Sequence, residues 1–260
     1  MKKAFLFLAI SAQALGVSAG VVVIDGKYQN KNLYVQNSLS NSGVGYCAYE
    51  VSVNGQVSND EVNSSAFEVD LSQYQLKFGD DVSIKIKHKD GCIPKILNPE
   101  VLKPKPTFDI ITFNIDPGGD LKWKTKNESG SLPYIIEQYR WNKWVYVGEV
   151  QGKGTAEEHD YTFQATLHSG ENKFRIKQVG HTNQPKFSSS VAITSGKSKV
   201  TYNYSRSAEV QFSDETLFEV YDFYGTIVKK GFGKKIDMTN LSKGGYYLCY
   251  DNIVEEFKKK

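Results

Sequence analysis

The sequence predicts an all-β protein made of tandem small sandwiches. Three observations point there. Helical periodicity is nearly absent after the first residues, and short alternating apolar–polar runs take its place. Gly, Asn, Asp and Pro break those runs at spacings of roughly 8–12 residues, the pattern of Ig- or fibronectin-like sandwiches. The 260 residues are 40% hydrophobic and 13% aromatic, enough for ordinary cores, and the length allows two domains, or three if they are small β modules. Lys and Arg number 32 against 29 Asp and Glu, a net charge of +3. That balance lacks the clustered cations a nucleic-acid footprint needs, so nucleic acid is not an expected partner.

Residues 1–19 read as a signal peptide. Lys2 and Lys3 precede the apolar run AFLFLAISAQALG, and VSA ends at Ala19 with small residues at the −1 and −3 positions. The run is too short for a membrane anchor, and no later run is long enough to span a bilayer. The expectation is export to the periplasm and then to the outer membrane, the cell surface or the medium.

The first domain is expected over 20–103. Its strands read VVVID, NLYVQN, YCAYEVSVNG, AFEVDL and VSIKIKH. In the last of these Val82, Ile84 and Ile86 face a core while Lys85 and Lys87 face water. Asn54–Gly55 is a type I′ hairpin signal, because both residues tolerate positive φ. An oxidising compartment makes Cys47 and Cys92 candidates for a disulfide, whose loop of about 45 residues would contribute roughly 4 kcal/mol on the chain-entropy model. The other reading is two buried free thiols. Cys249 is then left over. Pro104 and Pro106 in NPEVLKPKPTF stiffen the chain and mark a boundary.

The second domain is expected over 104–195, with strands FDIITFNID, DLKWKTKN, LPYIIEQYRWNKWVYVGEVQG, YTFQAT, NKFRIKQVG and SSSVAIT. Trp123, Trp141 and Trp144 are the expected core anchors. Tyr139, Trp141, Trp144 and Tyr146 crowd one hairpin, and alternation turns some of them outward, which leaves open a surface strip for glycan or protein. From Leu132 to Val191 the spacing of these elements resembles the fibronectin type III-like modules of secreted Bacteroidetes proteins.

The third domain is expected over 196–260. It carries VYDFYG with Asp222 and Gly225, the basic strand TIVKKG, then Asp237, Thr239, Leu241, Gly244 and Tyr246 in the order D-x-T-x-L-x-x-G-x-Y, and last EEFKKK. This series resembles the type A C-terminal sorting domain of proteins exported by the type IX secretion system. The resemblance implies a sorting signal in Asp222, Gly225, Asp237, Leu241, Gly244, Gly245, Tyr246, Lys258, Lys259 and Lys260. Its implied partners are the translocon and the associated shuttle or signalling proteins. Without the resemblance, the same residues read as a last hairpin, in which Asp222 braces a turn, the glycines shape it and the lysines blunt a sheet edge.

Catalytic chemistry is not expected. His88, His159, His168 and His181 are scattered and read as solvated, with no H-E-x-x-H and no paired-Cys spacing to hold a metal. The one G-x-S-x-G, GVSAG at 16–20, falls in the signal peptide. No cofactor is implied. Two functions remain: a non-enzymatic β-module protein working with or regulating the secretion apparatus, as a Por-type signalling member of the resembled family does, or generic surface cargo and adhesion.

Overall fold

The computed structural model describes residues 20–204 and 209–259; the signal-peptide reading of 1–19 and the role given to Lys260 lie outside the described residues. The fold is all-β. Among the described residues the only helical pieces are the 3-10 turns Leu71–Tyr74 and Pro99–Leu102. The chain packs as two compact units, one of residues 20–76 with Asp81–Leu102, the other of Lys77–Asp80 with residues 103–259.

The first unit is a sandwich of two sheets. Its strands are β1 (Gly20–Lys27), β2 (Leu33–Gln36), β3 (Ala48–Val53), β4 (Gln56–Val57), β5 (Ala66–Val69), β6 (Asp81–His88) and β7 (Lys95–Ile96). The sheets run β1-β6-β3-β4 and β5-β2-β7. Their inner faces meet in a core that includes Leu33, Val35, Val51, Val53, Ile84 and Ile86. Strand β6 alternates strictly, with Val82, Ile84 and Ile86 buried and Lys85 and Lys87 exposed. Asn54 and Gly55 take φ of 50° and 86° at the β3–β4 turn. Cys47 and Cys92 are bonded to each other across a Cα–Cα distance of 5.8 Å.

The second unit holds two cores. Strands β8 (Asp109–Ile115), β9 (Asp120–Lys126) and β12 (His159–Gln164) form one sheet of the middle module. Strands β10 (Pro133–Arg140), β11 (Lys143–Gln151), β13 (Gly170–Val179), β14 (Pro185–Phe187) and β15 (Val191–Ser195) form the other, in the order β11-β10-β13-β14 with β15 also on β13. Trp123 is 2% exposed at the centre, stacked on Tyr161 at 5.4 Å and edge-on to Tyr134 at 5.9 Å. The expectation that Trp141 and Trp144 share this core is corrected. Trp141 sits in the β10–β11 turn itself and Trp144, on β11, packs against Tyr139 and Arg175, and neither joins the core cluster.

The C-terminal module comprises β16 (Tyr202–Tyr204), β17 (Glu209–Asp222), β18 (Ile227–Asp237), β19 (Gly244–Tyr250) and β20 (Ile253–Lys259). Strand β17 has three neighbours and shifts register against β18 between Gln211 and Thr216. Its first part pairs with β16 and its last part with β19, while β18 follows it along the other side. Val210, Val220, Met238, Leu248, Tyr250 and Phe257 fill the space enclosed.

Candidate functional site

The residues that suggested a sorting signal collect at one end of the β17–β19–β20 sheet. Register places Asp222 opposite Tyr246, Gly245 opposite Lys258 and Gly244 opposite Lys259. Asp222 Oδ1 accepts the N–H groups of Tyr224 and Thr226, both at 2.9 Å, and Gly225 takes φ of 83°. The turn so held leaves Phe223 75% and Tyr224 92% exposed. Exposed apolar rings on a fixed turn contribute little to the fold and are available to a partner. Phe223, Gly245, Tyr247 and Lys258 border a shallow groove of about 500 Å³. A Cβ added to Gly245 would meet nothing within 4 Å, so the fold itself does not demand glycine there.

A second turn carries Asp237 and Leu241. Asp237 Oδ1 accepts from the Thr239 hydroxyl at 2.7 Å and from its N–H at 2.8 Å, and these bonds hold its carboxyl below the usual range. The Leu241 N–H donates to the Met238 carbonyl at 3.1 Å, which closes the turn. Tyr246 is buried, and its hydroxyl donates to the Ser242 carbonyl at 2.8 Å. One terminal lysine is misread by the sequence. Lys259 is buried, and its ammonium donates to the carbonyls of Met238 (2.6 Å), Thr239 (3.1 Å) and Leu241 (2.5 Å). It ties the last strand to the Asp237–Leu241 turn and presents no charge to a partner. Lys258 is exposed.

The aromatic hairpin is also rearranged from expectation. Tyr139 meets Trp144 edge-on at 5.3 Å, and the Arg175 guanidinium lies 4.3 Å from the Trp144 ring and 4.1 Å from that of Phe187. Arg175 in turn bonds Glu137, at 2.6 Å from both Nε and Nη2. These side chains stack on one another along the sheet face, each contact of the cation–π kind contributing about 0.5–2 kcal/mol. Tyr139 and Tyr146 are the exposed members, at 37% and 58%. Trp141 is removed from the surface strip: it is only 9% exposed, and its indole N–H donates to the Tyr250 carbonyl at 3.4 Å.

That contact belongs to a joint between the middle and C-terminal modules that the sequence does not announce. Trp141 and Asn142 form the β10–β11 turn with φ of 52° and 60°. The turn abuts the β19–β20 turn at Asp251 and Asn252. The Trp141 N–H donates to Asn252 Oδ1 at 3.4 Å, and Lys143 bonds Glu219 at 2.5 Å and also the Tyr221 hydroxyl. Arg140, 2% exposed, donates to Gln138 Oε1 at 2.7 Å and to the carbonyls of Asp251 (3.2 Å) and Thr166 (3.3 Å). Burial pushes its pKa down to about 10, with the Asp251 charge opposing. The Asp251 carboxylate, 1% exposed, accepts the Ser169 N–H at 2.8 Å, the Ser169 hydroxyl at 2.5 Å and the Val200 N–H at 3.3 Å.

His88 and His168 are buried, against the solvated reading of the four histidines; His168 packs beside this joint at 3% exposed. Among the described residues no group of three or more His, Cys, Asp or Glu is placed to hold a metal.

No family model matches the chain, and no curated protein matches it. Among solved structures, a tetra-tandem repeat in the extending region of a large adhesion protein aligns over 94% of this chain and 74% of its own, at 11% identity and a TM-score of 0.32. The chicken CNTN1 FN1–FN3 domains align over 93% and 97%, at 9% identity and a TM-score of 0.27. The fibronectin(III)-like modules of Clostridium thermocellum CbhA align over 58% and 91%, at 10% identity and a TM-score of 0.21. Scores this low carry no argument, and the all-β assignment rests on the strand pairing itself.

Proposed function

We propose that this chain is a non-enzymatic, exported β-module protein whose C-terminal module is a type IX sorting address, acting with or regulating the secretion apparatus at the outer membrane. The observation that carries the reading is the clustering of the family-like residues. Asp222, Gly225, Gly244, Gly245, Tyr246 and Lys258 come from three strands and one turn, yet lie at one sheet end around an exposed aromatic turn. A receptor that reads a folded shape needs such a preset surface. The competing reading, generic surface cargo or an adhesion module, draws on Tyr139 and Tyr146, the exposed members of the aromatic hairpin.

Gly225→Val is the test, because it forces a side chain into a positive-φ turn, at about 1–3 kcal/mol, at a position where an added Cβ meets nothing within 4 Å. In a host with the secretion system, the variant should accumulate in the periplasm with an unchanged melting profile for the remainder of the chain. Surface delivery at the wild-type level would remove the address reading and leave the cargo reading standing only if the intact protein is itself found at the surface.

A further inference from the structure

We propose that the joint between the middle and C-terminal modules is an acid-sensitive latch, with His168 as its trigger. This inference is independent of whether the C-terminal module is an export address. His168 is 3% exposed, its Nδ1 lies 2.7 Å from the Ser169 carbonyl, and its Nε2 has no hydrogen-bond partner. With Nδ1–H donating to Ser169, the ring is neutral and Nε2 carries a bare lone pair. A proton there would create a buried cation beside the buried Arg140.

The charged groups around it come from both modules. Arg140 lies on β10 and Asp251 in the β19–β20 turn. Lys197 and Lys199 on the connecting segment, and Asp214 and Glu215 on β17, border the same cleft of about 410 Å³. Only Asp251 among the acidic groups is buried, and three donors already occupy its oxygens. Asp214 is exposed and pairs with Lys234 at 3.2 Å, and Glu215 is exposed. The buried set therefore holds one cation and one anion while His168 is neutral, and a second cation breaks that balance.

Burial is the main influence that holds the His168 pKa down, with the Arg140 charge adding to it; the Ser169 and Tyr139 carbonyls and Asp251 oppose. A histidine freed to water titrates at about 6.5. Opening the joint therefore takes up a proton, so the closed form is favoured above about pH 6.5 and loses ground as the pH falls below it, until the closed-state histidine itself titrates.

Cys249 supplies a reporter. It is buried, unbonded and opposite Glu219 in register, on the strand whose partner residue Lys143 grips. Burial pushes its thiol up to about 11, so a dipyridyl disulfide, which reacts with thiols in acid, is the probe. In the full mature chain, the Cys249 labelling rate, normalised at each pH to the urea-unfolded chain, should rise about tenfold from about pH 7.5 to about pH 5. In His168→Gln the rise should shrink to about twofold or less. His168→Asn, with the opposite reach of the amide, guards against a variant that simply fails to fold. A flat wild-type profile overturns the latch, and so does an equal rise in either folded variant.

Discussion

Two hairpin turns in this protein share positive φ at both central residues and differ in what lies against them. At the β3–β4 turn Asn54 and Gly55 take φ of 50° and 86°, and at the β10–β11 turn Trp141 and Asn142 take φ of 52° and 60°. The first pair suits the conformation by itself, since glycine has no Cβ and asparagine tolerates the left-handed region. The second forces a bulky aromatic residue into it, at a local cost of about 1–2 kcal/mol. Only the neighbouring module explains the choice. Trp141 is buried there, reaches the Tyr250 carbonyl, and carries Arg140 and Lys143 to Asp251 and Glu219. A turn made for its own sake and a turn made for a docking contact can be the same turn.

The contrast can be broken most severely at Trp141. Trp141→Ala leaves the positive φ in place and removes the buried ring, so it should destabilise the second unit by about 3–5 kcal/mol, read from urea denaturation of the full chain. A loss near zero would mean that the joint contributes nothing to the stability of that unit. Gly55→Ala should cost less, about 1–2 kcal/mol, because it adds a Cβ at positive φ in open space and nothing else. Its effect should fall on the first unit's transition alone. The smallest change is expected at Asn142→Gly. Glycine accepts φ of 60° without strain but adds unfolded-state freedom that folding must remove, and thermal melting should place the variant within about 0.5 kcal/mol of wild type.

Much of the fold is legible in the residues because it depends on neighbours in sequence. The alternation in β6 sends Val82, Ile84 and Ile86 inward and Lys85 and Lys87 outward. β14 is not read, since the three residues Pro185–Phe187 are too few to show alternation and begin with proline. Of the three tryptophans, Trp123 lies in the middle of an alternating strand and is the core residue. Trp141 lies in a turn, where strand alternation does not reach, and Trp144 stands just after it, where alternation says which face a side chain takes and not what lies against it.

The candidate site divides along the same line. Turn chemistry by itself determines the Asp222–Gly225 and Asp237–Leu241 turns, whose bonds span four residues or fewer. Tertiary structure alone decides that Lys259 is buried over three carbonyls some twenty residues away, that Arg175 stacks between Trp144 and Phe187, and that His168, Arg140 and Asp251 meet. A lysine at a chain end, an arginine in a strand and a histidine in a loop all read as solvated, because their default state in water is charged and exposed. Burying them takes partners contributed by distant segments, and no local pattern records which segments will arrive.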